Sequence, residues 1–487
     1  MNNDILQLTP REVWNNFHLL TQIPRVSGNE EKIREFISSF GKKLELESLV
    51  DDAGNVIIRK PASPGMEHCK GVILQCHLDM VPQKNLDKQH DFATDPIETI
   101  LDGDWVRADG TTLGADNGLG VAATMAVLES REQLLHGPLE ALFTSNEENG
   151  MTGAFGLKPG LLKGEILLNM DSEDDGELFI GCAGGSNGTM SFSYREQPLQ
   201  GEWKGFMIEV TGLKGGHSGV DIHLGRGNAN KIMNRLLYHG HFHHGLLLAS
   251  INGGSLHNAI PRESFVHAAL PGSMALEFLD SFTVIAATIQ DELSAVEPTL
   301  KIEAVPAAVP ESVIEERIFV QLLNALYACP NGVMRMSNDM AGLVETSNNL
   351  AIVQSGNGII IIKTLLRSSV DSAKVDLEIM IKSLFDLAGA DSVFDGRYPG
   401  WKPDHASPIL KIMQEIYHKK FAEIPEIRAV HAGLECGIIG STYPELKMIS
   451  FGPTIRFPHS PDEKVNIPSV RKFWDFLVET LKNIPVK

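Results

Sequence analysis

Several things are scarce in this chain, and each scarcity narrows its class. Cysteine is rare: Cys69, Cys76, Cys182, Cys329 and Cys436 are the only five, with no CxxC pair. Few, odd in number and far apart, they form no disulfide framework, and a reducing cytosol fits. No apolar run approaches the roughly 20 residues needed to span a bilayer. The opening Met1 to Gln7 lacks the basic stretch and apolar core of a signal peptide, so a cytoplasmic protein is expected. Basic charge is in deficit, 42 Lys and Arg against 62 Asp and Glu, a net charge of -20. That field repels nucleic acid and anionic membranes, and neither is expected as a partner. No Gly-x-Gly-x-x-Gly follows the first strand and there is no P-loop, which disfavours a nucleotide-binding protein.

What is present looks like an ordinary globular chain. Hydrophobic residues make up 43% and charged residues 21% of 487. That length suggests two or three domains. Thr9-Pro10-Arg11-Glu12 reads as a capping box with proline at the first helical position, followed by Val13, Phe17 and Leu20 at helical spacing. A second helix is expected from near Asn29, and a third from Gly118 to Leu128. Val72 to Cys76, Leu139 to Phe143 and Ile166 to Met170 read as buried strands. The fold class is therefore α/β: a catalytic domain with a mixed, largely parallel sheet flanked by helices. Near Gly181 the pattern turns to α+β. Phe206 to Val210 and Ile359 to Thr364 each precede an amphipathic helix, Asn228 to Tyr238 and Ser372 to Leu387. This unit occurring twice is consistent with an inserted domain of two related halves. The expected division is 1–185 with 400–487, interrupted by 186–399, with Tyr398 to Pro403 as the return linker.

Polar residues gather at the strand ends, where open α/β sheets bind ligands. Five stand out as metal ligands: His77, Asp116, Glu148, Asp171 and His459. Carboxylate with imidazole suits zinc, with cobalt or manganese as substitutes. Strand alternation puts His77 and Asp79 on one side, so Asp79 can orient the imidazole. Asp116 stands among glycines, where a carboxylate can approach two cations. Glu147 and Glu148 point in different directions, so one can ligate while the other takes a proton. Taken singly, each has an ordinary alternative: a structural His-x-Asp, a solvated turn, a helix cap, a loop histidine. Their convergence at strand ends favours one site. Cys76 reads as a core residue on the far side of its strand.

The stretches Gln75 to Pro82, Leu113 to Gly118, Thr144 to Gly153, Asn169 to Glu173 and Phe457 to Glu463 resemble the aminoacylase/carboxypeptidase-type family of two-zinc exopeptidases. The likeness runs over essentially the whole chain and lies nearest the bacterial Xaa-His dipeptidase branch. It implies a hydrolase of small unblocked peptides, carnosine-like Xaa-His pairs among them, with two zinc ions per chain. His77 and Asp171 would hold one ion, Glu148 and His459 the other, with Asp116 between them. Glu147 would be the general base and Asp79 the support of His77. The resemblance further implies that His217, in Gly212 to Gly219, donates to the oxyanion; read alone, it is a histidine in a flexible turn. Asn258 is a substrate contact or the turn residue before Pro261. Arg367 is a surface arginine or, by analogy, a clamp on the substrate's C-terminal carboxylate. Gly433 and Glu435 fall where family members hold substrate ends, with Glu435 toward the free amine. The insert, about 210 residues, is about twice the usual lid, so a homodimer sharing His217 in trans and a chain using it in cis both stay open. Competing readings are a tripeptidase, carboxypeptidase or deacylase on the same scaffold, and a non-catalytic metal-binding protein. The presence of Glu147 disfavours the last.

Overall fold

The strand ends singled out above belong to one eight-stranded sheet. The computed structural model describes residues 3–131 and 134–487. Met1 and Asn2 of the opening stretch lie outside it. The sheet order is Glu47–Val50, Val56–Lys60, Leu139–Thr144, Val72–His77, Ile166–Asn169, Lys447–Ser450, Glu177–Cys182, Glu426–Val430. The four central strands run parallel. The pairings on either side of them are antiparallel. All six residues of Val72–His77 and of Leu139–Thr144 are buried. This is what continuous apolar runs give when both sheet faces are covered. Cys76 is buried in that core. The helix Arg11–Thr21 buries Val13, Trp14, Phe17 and Leu20. Its start differs from expectation: Pro10 itself is the N-cap, in extended geometry, with no side-chain cap bond. Proline's fixed φ ends the non-helical segment there, and Thr9 lies one residue too early to cap. Glu31–Lys43 buries Ile33 and Ile37, and Ala115–Glu129 is buried almost throughout.

The chain divides into two compact units, Met1–Gly181 with Pro403–Ala429 and Leu434–Lys487, and Cys182–Lys402 with Val430–Gly433. The stretch Tyr398 to Pro403 falls mostly in the second. There Tyr398 ends a strand and Trp401 bridges Cys182.

The second unit is built on one nine-stranded antiparallel sheet, so the two strand–helix halves share a single sheet. They join where Leu247–Gly253 pairs with Val344–Gly356. The helices Ala229–His244, Ala275–Leu293, Glu316–Ala328 and Asp371–Leu387 contribute to one apolar core, with Met233, Phe278, Phe319 and Phe385 fully buried in it. The expectation of no membrane-length segment meets one exception. Gly272–Leu293 is long and apolar enough by composition, at mean hydropathy 1.3. Its Phe278, Phe282, Ala286 and Ile289 are nevertheless buried in the core, one stripe at helical spacing.

Candidate metal centre

Strand geometry delivers the first ligands. Val72–His77 ends with His77 buried, and its Nδ1 lies 3.1 Å from the Asp79 carbonyl and 3.4 Å from its carboxylate. The other ring nitrogen therefore faces outward, 3.1 Å from Asp116 Oδ1 and 3.2 Å from Asp171 Oδ1. His459 Nε2 stands 3.2 Å from Asp116 Oδ2 and 3.0 Å from Glu148 Oε2. Asp116 thus offers one oxygen to each imidazole. Three groupings place their ligand atoms within 4.8 Å of one another: His77 with Asp116 and Asp171, Asp116 with Glu148 and His459, and His77 with Glu147 and Glu148.

The loops that carry these groups are fixed by buried polar contacts. Asp79 is fully buried and accepts from the backbone N–H of Glu147 at 3.0 Å and of Glu148 at 3.1 Å. One carboxylate thereby aligns an imidazole and both glutamates. Asn117 donates to the Met170 carbonyl at 2.9 Å and to the Asp171 carboxylate. Four non-glycine residues with positive φ bracket the glutamates and the distal histidine: Asn146 at 55°, Met151 at 54°, Phe457 at 56° and His459 at 58°. Left-handed backbone on such side chains is costly and clusters where function dictates geometry.

Electrostatics agree with a cation site. Burial works to lower His77, but Asp171, Asp116 and Asp79 raise it well above its ordinary range. Asp116 and Glu148 raise His459 to about 11. That much negative charge around two imidazoles suits a divalent cation, and the donor set is of the type one takes. Burial, then Asp171, Glu435 and Glu148, lift Glu147 well above the carboxylate range, against the pull of His77.

Glu435, expected toward the substrate's free amine, is an internal side chain. It is fully buried, and its Oε2 accepts from Gln75 and Thr144, each at 2.6 Å. Its Oε1 has no partner, and burial pushes the carboxyl to about 7.

The second unit holds the remaining candidates. His217 Nδ1 accepts from the backbone N–H of Gly219 at 3.2 Å and Val220 at 3.0 Å. Burial and the charge of Arg367 lower its pKa to about 4. The neutral ring therefore carries its proton on Nε2, as a donor. Asn258 is exposed in a turn, and its carbonyl accepts from the N–H of Ser218 at 2.9 Å. Arg367, expected at the surface on the plainer reading, is only 5% exposed. It donates to Tyr398 Oη at 3.0 Å and sits 3.4 Å from Ser218 Oγ. Among the described residues no carboxylate lies within salt-bridge distance of it. A buried guanidinium so placed calls for an anion. Gly433 closes the short Val430–Gly433 segment of this unit.

Sequence reasoning passed over Asn117, Gln75, Arg25 and Glu463. Three of them stood inside quoted motifs, each beside or near a ligand, and that adjacency was the available signal.

A mixed sheet whose strand ends and adjoining loops gather imidazoles and carboxylates around a half-buried glutamate defines a metal-dependent hydrolase. Residues 73–483 match the model of peptidase family M20/M25/M40, and the chain belongs to that family. It is 44% identical to the cytosol non-specific dipeptidase of Escherichia coli (strain K12), with both chains covered in full. The crystal structure of aminoacylhistidine dipeptidase from Vibrio alginolyticus superposes at a TM-score of 0.94 with 46% identity, again over 100% of both chains. An aminopeptidase from Bacillus cereus shares the fold at a TM-score of 0.62 and 15% identity, covering 98% of this chain and 99% of its own. The chain is a peptide hydrolase.

Proposed function

We propose that this protein is a cytoplasmic dipeptidase that hydrolyses unblocked dipeptides, Xaa-His pairs such as carnosine among them, with two zinc ions. The observation that carries the reading is Asp116, whose two oxygens face two different imidazoles. His77 and Asp171 would hold one ion, Glu148 and His459 the other, with Asp116 available to both. Imidazole with carboxylate favours zinc, with cobalt or manganese able to substitute. The bound pair supplies a water acidified toward about pH 7 and a polarised scissile carbonyl.

The chain's own residues do the rest. Glu147 takes the proton of the attacking water and returns it to the leaving amine, as base and then acid. Asp79 holds the Glu147 and Glu148 backbone in place. His217 donates from Nε2 to the developing oxyanion, a type of contact worth about 2.7–4 kcal/mol of barrier. Arg367 takes the substrate's C-terminal carboxylate, and its lack of an acidic partner supports this. Asn258 and Gly433 line the substrate path. The full-length likeness to two proteins named as dipeptidases supports the substrate class, and the cytosolic name of the first supports the compartment.

The test is kcat/KM for a free dipeptide, its C-terminal amide, its N-acetyl form and a tripeptide, with the zinc-loaded protein. The free dipeptide should be preferred throughout. Losing one partner of a buried charge contact costs about 2–5 kcal/mol. Equal rates on the amide would remove Arg367 from the site, and comparable tripeptide cleavage would end the dipeptidase reading.

A further inference from the structure

Two buried side chains of opposite charge, each held by backbone groups of the same loop, have no part in the chemistry above. Glu463 follows His459 by four residues and is 2% exposed. Its Oε2 accepts from the backbone N–H of Leu113 at 2.7 Å and Gly114 at 2.9 Å. Its Oε1 accepts from Ala115 at 2.8 Å and Asp116 at 3.3 Å. All four N–H groups lead into the helix Ala115–Glu129, whose N-cap Gly114 has no side chain to satisfy them. An acid from a distant part of the chain does so instead; the backbone of Asp116 and Asn117 is non-helical, so these N–H groups belong to the loop ahead of the regular helix.

Arg25 is 3% exposed and completes the arrangement. Its Nη1 donates to the carbonyls of Leu78 at 3.0 Å and Asp79 at 3.1 Å, and its Nη2 to the carbonyl of Gly114. Among the acids around Arg25, Glu463 acts on its charge most strongly. Gly114 has φ 69°, and a Cβ there would stand 2.5 Å from Arg25 Nη2. Both backbone and neighbour thus require glycine. The guanidinium ties the end of the His77 strand to the Asp116 loop. The carboxylate ties the Asp116 loop to the loop carrying His459.

We propose that Glu463, backed by Arg25, is a positioning residue that sets the Asp116 carboxylate against both imidazoles, so that the two metal subsites depend on it together. This rests on the metal-site reading above. A mere helix cap would affect only stability. A positioning residue would also affect how tightly and in what geometry metal is held.

The experiment is a cobalt(II) titration of the full metal-free chain, followed by visible absorption, with melting temperature and steady-state kinetics alongside. E463Q puts an amide donor against two backbone donors and removes the charge facing Arg25. It should weaken cobalt binding about 10–100-fold, as loss of a residue supporting metal ligands typically does. It should also change the cobalt spectrum and lower kcat with little change in KM, and E463D should recover part of each. N466A is the control, because Asn466 caps the helix Ile467–Lys482 and does not touch the Asp116 loop. It should cost stability and leave cobalt affinity and spectrum unchanged. Wild-type cobalt affinity and spectrum in E463Q would overturn the proposal, as would losses no larger than those of N466A. Should E463Q not fold, E463D decides: several-fold weaker cobalt binding supports the proposal, and wild-type binding overturns it. E148Q and H459A separate the two levels. If they still bind two cobalt ions normally, the metal-site reading itself fails. If they lose cobalt while E463Q does not, only the role of Glu463 fails.

Discussion

Asp79 is the residue whose loss should cost most for the smallest change in shape. Asp79→Asn keeps the volume, one acceptor and the buried position, but it replaces the second acceptor with an NH2 group. The carboxylate accepts from two backbone amides, those of Glu147 and Glu148. In the variant, one of them must face a donor. A hydrogen bond to a charged group contributes about 1.5–3 kcal/mol, and a buried N–H left unpaired costs about 1–3 kcal/mol. The sum is about 2.5–6 kcal/mol, from which relaxation of the half-exposed Glu-Glu turn recovers some, so about 2–5 kcal/mol of stability should be lost. At about 2–4 °C per kcal/mol for a unit of this size, the melting temperature should fall by about 4–20 °C. Activity should fall separately, about 10–100-fold in kcat, because His77 loses its oriented partner and Glu147 loses its fixed backbone. The assay is kcat and KM on one free dipeptide at saturating zinc, with metal content and melting temperature measured on the same preparation. A variant within twofold of wild-type kcat and within 2 °C of its melting temperature would refute the assignment of Asp79 as the common support.

Other outcomes follow from the same geometry. Glu147→Gln should retain its metals and lose about 10²–10⁴ in kcat, since proton transfer is removed while the ligand set stays; near-normal turnover with metal bound would rule Glu147 out as base. Asp116→Ala should lower metal content rather than turnover per bound metal, as elemental analysis would show, because one carboxylate faces both imidazoles. Acid should unfold the second unit through His431, which is buried against Ser347 and pushed down to about 3 by burial and then by Arg367. The unfolded chain takes up that proton near pH 6.5 and the folded chain only near 3, so stability falls as pH drops across this window, by on the order of 4 kcal/mol at its foot. His431→Asn should flatten that part of the stability profile of the metal-free protein; an unchanged acid slope would show that His431 does not govern it.

How much of this was legible in the sequence depended on range. His77, Asp116, Glu148, Asp171 and His459 were readable because each ends a strand or sits in a glycine- or proline-marked loop, and local rules identify such places. The buried strands were readable because apolar runs covered on both faces leave no polar alternation. The partnership of Arg25 with Glu463 was not, because no local rule links a residue near one end of a chain to an acid near the other. The burial of Glu435 was not legible either: it is set by Gln75 and Thr144, two strand residues whose inward direction emerges only when the sheet is assembled. Thr9 looked like a cap by composition, and proline geometry one residue on displaced the helix start.

The order in which the first unit draws on the chain has a bearing on its biosynthesis. His77, Asp116, Glu148 and Asp171 precede the second unit in the chain, while His459 and Glu463 follow it. At about 5–20 residues per second, translation takes roughly 15–60 s to cover the roughly 290 residues from Asp171 to His459. During that interval the nascent chain carries a cluster of carboxylates with one imidazole, no distal histidine and no carboxylate beneath the Asp116 loop. The grouping of Asp116 with Glu148 and His459, unlike that of His77 with Asp116 and Asp171, therefore has to wait for chain made after the second unit.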